Sequence, residues 1–238
     1  MQRYFASKDN KGNIIIANDD IFHITHVMRM KLNDEFEINN DGDIFLCKII
    51  SLSPFKFDII KETKENHELN GYIRLLYCLP KGEKTDLVIQ KAVELGANEI
   101  VLINSTRSIA KITKENKDKK LIRFNKIIKE ASEQSKRTRL LKLTDVITFK
   151  ELSNYKADVS FIAYENTSLT SEDLLNELSN IKGKTVNVII GAEGGITLEE
   201  LNIAKSLGYK EISLGKRILR SETACFYILS LLSFYMEN

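Results

Sequence analysis

Short apolar runs separated by turn residues fill the first 70 positions of the chain. Runs rich in β-branched and aromatic residues, bounded by turn signals such as NNDG and LSP, are typical of strands. The segment DIFHITHVMRM (20–30) differs, because its apolar residues recur at helical spacing, and it predicts a helix. Several strands this close together predict a small β-barrel. The predicted strands cover residues 13–17, 35–38, 43–51 and 55–59.

The pattern changes after the polar stretch KETKENHELNG (61–71), which has the composition of a linker. From there on, apolar strands alternate with amphipathic helices, which is typical of an α/β domain with a mainly parallel sheet. We therefore predict a β-rich domain over residues 1–70 and an α/β domain over residues 71–238. Strands of the second domain are predicted at 72–79, 99–104, 157–165, 185–191 and 211–215. Helices are predicted at 84–96, 116–137, near 171–180, at 197–208 and from Ser221 onward.

Composition narrows the class of protein. With 43% apolar and 29% charged residues among 238, the chain has the balance of a folded globular protein. The longest apolar run, TACFYILSLLSFYM, is shorter than the roughly 18 residues of a membrane span and predicts a buried helix. Because the N-terminal residues lack the apolar core of a signal peptide, we expect a cytoplasmic protein. The three cysteines lie far apart in apolar stretches, so neither disulfides nor a metal site is expected.

Positive charge is concentrated in one part of a nearly neutral chain. Residues 119–142 contain nine Lys or Arg and two Glu, a local net charge of +7, while the whole chain carries +2. Such a stretch is typical of a surface that binds polyanions. A solvated helix face would have the same composition, and charge alone does not separate the two interpretations.

Glycines cluster where a ligand site is expected. In a parallel sheet ligands bind at the carboxyl ends of strands, and three loops follow predicted strands there: AYEN (163–166), IGAEGGIT (190–197) and LGKRILRSET (214–223). Of the 11 glycines, three fall within residues 191–195. The glycine patterns of the phosphate-binding and dinucleotide-binding loops are both absent. The single acid in the middle loop favours an uncharged or cationic adenosine ligand over a triphosphate.

The pairing of IGAEGGITLEEL with LGKRILRSETA resembles the C-terminal signature of the RsmE family. These are SPOUT-class enzymes that methylate N3 of a uridine in 16S ribosomal RNA with S-adenosylmethionine. HITHVMRMK (23–31), DLVIQKAVELGANEIVLINSTRS (86–108) and EASEQSKR (130–137) resemble further motifs of the family, so the resemblance covers the whole chain. One departure is Ala192, where the family usually has proline. We expect this change to loosen the loop without removing a functional group.

The resemblance implies a fold and partners that the pattern alone does not give. It implies a PUA-like β-barrel followed by a SPOUT domain, in which the C-terminal segment forms a trefoil knot. It also implies a homodimer, with the apolar last helix at the interface, and a substrate in the 16S rRNA of the small ribosomal subunit. Neither a membrane nor a metal is implied.

Catalytic candidates follow from the family motif and from the chemistry of uracil. Its N3 is protonated at neutral pH, so transfer requires loss of a proton and stabilisation of an anion. Arg220 is the first candidate for this stabilisation, and Arg217 is the second. Glu222 is expected to position Arg220 or to accept a proton, although an acid there also favours the start of a helix. The general base is not assigned.

The remaining candidates bind cofactor or RNA. Glu193 is expected to hold a loop amide or to meet the positive end of the cofactor. The cofactor candidates are Gly191, Glu193, Gly194, Leu214, Gly215, Ile218, Leu219, Thr223 and Ala224. The RNA candidates are Arg3, His26, Arg29, Arg107, Lys136, Arg137 and Arg139. Two alternatives stay open: a SPOUT enzyme acting on another base or a ribose 2′-hydroxyl, and a non-catalytic RNA-binding assembly factor.

Overall fold

A computed structural model describes residues 1–82, 84–165, 167 and 171–237, with Ser171 described by its backbone alone. The chain divides into two compact units. The first consists of Met1–Glu68 together with Ser132–Leu140, and the second of Leu69–Ala131 with the chain from Leu141 onward. The segment 132–140, which the sequence pattern places in the α/β domain, therefore clusters with the first unit.

The first unit contains one five-stranded mixed sheet. Its order is β2-β1-β3-β4-β5, in which β1 runs parallel to β3 and the other neighbours are antiparallel. Strands β2 and β5 are the two edges, so the hydrogen bonding described here does not close the expected barrel. The strands are β1 (Arg3–Lys8), β2 (Ile14–Ile16), β3 (Glu35–Asn40), β4 (Asp43–Leu52) and β5 (Phe55–Thr63).

The predicted helix at 20–30 is shorter than expected and has two parts. Helix α1 (Asn18–Phe22) continues into a π-helical turn (His23–Val27). The helical path ends before Arg29, which adopts a left-handed backbone conformation with φ of 52°. Ile24 is the residue of this turn that is fully buried, and it packs in the core of the first unit with Tyr4 and Phe36. Strand β1 was not predicted, because its sequence mixes polar and apolar residues.

The second unit is built on a six-stranded sheet whose neighbouring strands are all parallel. The order is β11-β9-β10-β6-β7-β8, which confirms the prediction of an α/β fold with a parallel sheet. The strands are β6 (Tyr72–Cys78), β7 (Glu99–Ile103), β8 (Lys142–Leu143), β9 (Val159–Ala163), β10 (Thr185–Ile190) and β11 (Lys210–Ile212). The two-residue β8 was not predicted.

Both faces of this sheet are covered, as the nearly continuous apolar strands require. On β6, Leu75 and Tyr77 face one apolar cluster, and Leu76 and Cys78 face the other, as expected for side chains that alternate along a strand. The first face is covered by α2 (Lys84–Glu94), α3 (Lys114–Gln134), α4 (Ser171–Leu178) and α6 (Ser221–Glu237). The second is covered by a 3-10 helix (Phe149–Asn154) and α5 (Leu198–Ser206).

A buried polar network occupies the amino end of the sheet. The Arg74 guanidinium donates to Glu99 (2.6 Å) and to the Asn187 side-chain oxygen (2.8 Å), and it lies over the ring of Tyr155. Because Arg74 and Glu99 compensate each other's charge, this end of the sheet is satisfied within the protein. Any ligand is therefore expected at the opposite, carboxyl end. Within the described part of the chain, no helix is both long and apolar enough to cross a membrane.

Candidate functional site

The three loops predicted from the sequence meet in one cleft at the carboxyl end of the sheet. They follow β9, β10 and β11, and the cleft between them has a volume of about 400 Å³. Its lining runs over residues 163–165, 190–196 and 212–221 and includes Ala224. Asn166, the last residue of the first predicted loop, lies outside the described residues. The size is within the range of sites that hold a small molecule, about 300–1,000 Å³.

The glycine loop, residues 190–196, is compact and closely packed. The Gly195 amide donates to the carbonyl of Ala192 at 2.9 Å, and Gly195 has a φ of +70°, which side-chain-bearing residues rarely adopt. A Cβ on Gly194 would lie 2.9 Å from the Cβ of Arg107 and 3.1 Å from its carbonyl oxygen. The clustered glycines therefore permit one tight turn and one close approach of the loop after β7.

Helix α5 begins directly after the glycine loop and anchors it. Thr197 accepts a hydrogen bond from the Glu200 amide, and Glu200 accepts one from the Thr197 amide, so the two residues form a capping box. The buried Glu200 carboxylate also accepts from the amide of Thr106 at 2.7 Å. One side chain thus fixes the start of the helix and the loop after β7 together.

Arg107, an RNA candidate from the sequence, contacts the glycine loop directly. Its guanidinium donates to the carbonyl of Gly194 at 3.0 Å, and the side chain remains exposed. Arg107 therefore supports the wall of the cleft. Its exposure leaves an RNA contact as a prediction.

Glu193 is held by a different element. One carboxylate oxygen pairs with Lys84 Nζ at 2.9 Å, and the other accepts from the Lys81 amide at 3.2 Å. Partial burial raises the pKa of Glu193, but these donors outweigh burial and hold it below its usual value. Pairing with Glu193 and Glu222 raises the pKa of Lys84. These contacts support the loop-organising role of Glu193.

The start of α6 forms the remaining wall. Ser221 and the buried Tyr77 share a hydroxyl hydrogen bond of 3.0 Å, which ties the helix to β6. Arg217 and Arg220 line the cleft with exposed side chains, directly before the helix. Glu222 does not line the cleft and pairs with Lys84 at 3.3 Å.

The cleft gathers most of the predicted cofactor residues. Thr223 is the exception, because it is exposed on α6 and outside the lining, so the structure gives it no place at the cleft. The lining contains Gly191, Glu193, Gly194, Leu214, Gly215, Ile218, Leu219 and Ala224.

Sequence reasoning missed Lys84, Tyr77 and Glu165. Glu165 belongs to the cleft lining, and the other two hold its walls. A signal existed for Lys84, since a cation at the first residue of a helix is disfavoured by the helix dipole and calls for a separate reason.

Comparisons with known proteins agree with this arrangement. Residues 67–233 match the family described as RNA methyltransferase domain, and residues 16–62 match the RNA methyltransferase PUA domain. The chain is 34% identical to the ribosomal RNA small subunit methyltransferase E of Bacillus subtilis, over 100% of this chain and 98% of that protein. It is 32% identical to the protein of the same name in Mesomycoplasma hyopneumoniae, over 97% and 98% of the two chains. The chain belongs to the ribosomal RNA small subunit methyltransferase E family.

A solved structure extends the family likeness to the whole fold. A proposed methyltransferase of Legionella pneumophila, in complex with the bound cofactor SAM, superposes with a TM-score of 0.86. The two chains are 27% identical, and the match covers 98% of each. The cleft described above lies in the part of the chain that matches the family's methyltransferase domain. The part that matches the PUA domain lies in the first unit.

Two of the RNA candidates in the first unit are structural, which corrects the expectation from the sequence. Arg3 is fully buried and donates to Glu37 (2.9 Å), Glu65 (2.8 Å) and the carbonyl of Lys136 (2.7 Å). Arg137 is 3% exposed and pairs with Glu68. Guanidinium groups that are buried and engaged in this way do not reach a phosphate from solvent. Their role is to hold the unit together.

The other RNA candidates of this unit lie at its surface. His26 is exposed and stacks on Phe22, with ring centroids 4.5 Å apart, and Arg29 is exposed beyond the end of the π-helical turn. Lys136 is partly exposed and pairs with Glu37 at 3.2 Å. The Arg139 side chain is exposed. Its main chain is held by Glu68, which accepts a hydrogen bond from the Arg139 amide at 3.1 Å.

Arg139 lines a surface groove of about 790 Å³ that lies wholly within the first unit. Lys8 contributes a second cation and Asp41 an acid. The buried Asn39 side chain donates to the carbonyls of Arg137 and Thr138, which sets the course of this segment. The groove is lined by Phe5, Ala6, Ser7, Lys8, Asn40, Asp41, Thr138, Arg139 and Leu140.

Part of the basic stretch is an ordinary solvated helix face. On α3, Arg123 pairs with Asp86 of α2, and Lys126 lies 3.8 Å from Glu130 one turn away. Exposed pairs of this kind contribute little to stability, at most about 1 kcal/mol. The solvated-face interpretation therefore applies to this part of α3, and polyanion binding by the rest of the stretch stays a prediction. In the part of the chain that the structure describes, no three His, Cys, Asp or Glu side chains are grouped to hold a metal.

Proposed function

We propose that this protein transfers a methyl group from S-adenosylmethionine to N3 of a uridine in the 16S rRNA of the small ribosomal subunit. The observation that carries the proposal is the convergence of the glycine loop and Arg220 on one cleft, in a chain of the ribosomal RNA small subunit methyltransferase E family. The Legionella neighbour, solved with SAM, supports the choice of cofactor.

The cleft fits the cofactor through its backbone and its acids. Gly195 and Gly215 both have positive φ and line the cleft, so main-chain groups rather than side chains face a ligand there. Glu165 and Glu193 place two carboxylates in a lining that also contains Lys216, Arg217 and Arg220, and a carboxylate suits a cationic sulfonium. We assign the cofactor to Gly191, Glu193, Gly194, Leu214, Gly215, Ile218, Leu219 and Ala224. The bound cofactor supplies an activated methyl group.

Arg220 is proposed to stabilise the uracil anion. Removal of the N3 proton leaves negative charge on the ring carbonyls, and a guanidinium beside the cleft compensates it. Arg217 is the second candidate, since it lines the same cleft. Glu222, two residues after Arg220, is proposed to position that arginine or to accept the proton.

RNA binding is proposed for Arg107 at the cleft wall and for His26, Arg29, Lys136 and Arg139 in the first unit. The exposure of His26, Arg29 and Arg139 supports their assignment, because hydrogen-bond donors at a protein surface reach phosphates. We propose residues 1–70 and 71–238 as the two domains, and the cytoplasm, where ribosomal subunits are assembled, as the location.

A homodimer through α6 and a knotted C-terminal segment are also part of the proposal. Tyr227 and Phe234, seven residues apart and thus on one face of α6, are 40% and 61% exposed. Exposed aromatic residues on one helix face are typical of a surface that a second subunit covers. The family resemblance alone suggests the knot.

The proposed function is tested with tritiated S-adenosylmethionine and small ribosomal subunits from cells that lack this enzyme. Label in 3-methyluridine after nucleoside chromatography, lost in Arg220→Ala, is the expected result. Label in another nucleoside would overturn the target while keeping the chemistry. No label, together with no cofactor binding in calorimetry, would favour a non-catalytic RNA-binding factor.

A further inference from the structure

Lys84 joins two acidic residues that belong to different walls of the cleft. Its Nζ lies 2.9 Å from Glu193 of the glycine loop and 3.3 Å from Glu222 in the first turn of α6. Lys84 itself is the first residue of α2, so one cation connects three elements. It lies outside the cleft lining and cannot be assigned to direct ligand contact.

A lysine at the first position of α2 is unfavourable, which indicates that Lys84 has a role beyond that of an ordinary surface ion pair. The amino end of a helix carries partial positive charge, which disfavours a cation there. Glu222 is only 15% exposed and depends on a nearby cation for compensation, whereas Lys84 and Glu193 are about one-third exposed. Among the described residues, Tyr77 of β6 and Cys225 of α6 both interact electrostatically with Glu222. Burial first, and neighbouring groups that include Glu222 second, raise the pKa of both, so they stay neutral.

We infer that Lys84 is a positioning residue for methyl transfer. By holding Glu193 and Glu222 together, it fixes the glycine loop against the turn that carries Arg220, two residues before Glu222. This inference rests on the proposed function, because it assigns Arg220 to the reaction. Lys84 touches neither substrate nor cofactor and acts through the two carboxylates.

The test compares Lys84→Met with a matched substitution on the same helix. Lys91 pairs with Glu94 at 2.7 Å and is 38% exposed, close to the 32% of Lys84, so Lys91→Met removes a similar ion pair away from the cleft. Lys84→Met is expected to raise the Kd for S-adenosylmethionine about tenfold. It is also expected to lower kcat about 10- to 100-fold, since displaced reacting groups carry costs of that size. Lys91→Met should change neither, and Lys84→Arg should restore most of both.

Two further measurements separate positioning from a general effect on folding. If Lys84 acts through Glu222, then Lys84→Met costs much less in a Glu222→Gln background than in the wild type. Lys84 lowers the pKa of Glu193. In Lys84→Met, the loss of cofactor affinity on acidification should therefore begin at a higher pH than in the wild type. A loss of packing alone would leave the pH at which cofactor affinity is lost unchanged.

The outcomes distinguish this inference from the proposed function. If Lys84→Met and Lys91→Met have the same cofactor Kd, the same kcat and the same pH dependence of cofactor affinity, the positioning role is overturned. Methylation of a different nucleoside by the wild type would overturn the proposed target, yet the comparison of cofactor Kd values would still decide on Lys84. If Lys84→Met fails to fold in a thermal melt, Lys84→Gln carries the test: lower kcat and weaker cofactor binding are expected, and full activity of Lys84→Gln would overturn the positioning role.

Discussion

Arg107 and Gly194, 87 residues apart in sequence, pack against each other without room for a side chain between them. The Arg107 guanidinium donates to the Gly194 carbonyl at 3.0 Å, and a Cβ on Gly194 would lie 2.9 Å from the arginine Cβ. The arginine Cβ and carbonyl oxygen, unlike the tip of its flexible side chain, cannot move aside without shifting the loop after β7. That loop is itself held by Glu200 through the Thr106 amide.

Gly194→Ala should therefore disturb the cofactor cleft more than the fold. The added methyl displaces the glycine loop, and we expect cofactor affinity to fall about tenfold, which is about 1.4 kcal/mol. Isothermal titration calorimetry with S-adenosylmethionine measures this change. Gly208→Ala is the control: it has open space but a φ of +86°, so it should lower Tm through strain and leave cofactor Kd unchanged. Equal cofactor affinity in Gly194→Ala and the wild type would contradict the prediction.

Glu68→Gln should strongly destabilise the first unit. Glu68 is 10% exposed and accepts from Arg137, Thr138 and Arg139, so its replacement removes a charged partner of a buried guanidinium. Removing one partner of such a pair costs about 3–5 kcal/mol. Glu62→Gln, at an exposed position of β5, is the control and should have little effect. Thermal and urea unfolding of the two variants decide the point.

The same carboxylate predicts a pH dependence. Burial raises the pKa of Glu68, but its pairing with Arg137 and the loop amides outweighs burial and holds the pKa below its usual value. A depressed folded-state pKa stabilises the protein above the unfolded value of about 4.3, and this stabilisation is lost as the pH falls through the folded value. The difference in stability between wild type and Glu68→Gln should therefore shrink on acidification. A difference that stays constant from neutral to acidic pH would contradict this assignment.

The cysteines should be unreactive in the folded protein. All three are free and buried, and burial raises the pKa of Cys47 and Cys78 to about 12 and that of Cys225 well above its usual value. Because the thiolate is the reactive form, we expect almost no reaction with a disulfide reagent at about pH 8 under native conditions. Three thiols should react after unfolding in urea. A fast-reacting thiol in the native protein would show that one of these sites opens.

The convergence of the three loops was predictable from the sequence. Parallel strands end at one edge, so loops that follow β9, β10 and β11 meet there once the alternating pattern is recognised. The capping box at Thr197 and Glu200 was predictable for a similar reason, because both partners lie within four residues.

Contacts between distant residues were not predictable. Lys84 and Glu193 are 109 residues apart, and no local pattern pairs them. For the same reason, the charge pattern of residues 119–142 does not distinguish Arg137 from Arg139. Only the fold brings Glu68 into hydrogen-bond contact with the guanidinium of Arg137, 69 residues away in sequence. Strand β1 was missed because its pairing with β3, rather than its own composition, makes it a strand.

Arg137 and Arg139 should separate in experiment as structural and RNA-binding residues. Arg139→Ala removes an exposed cation of the groove, so RNA affinity should fall while Tm stays unchanged. If the residue contacts a phosphate, the slope of log K against log salt should decrease by about 0.7–0.9. Arg137→Ala should instead lower Tm, because it removes the ion-pair partner of the mostly buried Glu68.

Binding of a 16S rRNA fragment to both variants, measured at several salt concentrations, provides the comparison. Lys61→Ala removes an exposed lysine of β5 outside the groove and controls for the loss of one positive charge. If Arg139→Ala and Lys61→Ala weaken binding equally, the groove has no specific part in RNA recognition. If Arg139→Ala lowers the salt slope and Lys61→Ala does not, the fixed course of residues 137–139 serves to present one arginine to the RNA backbone.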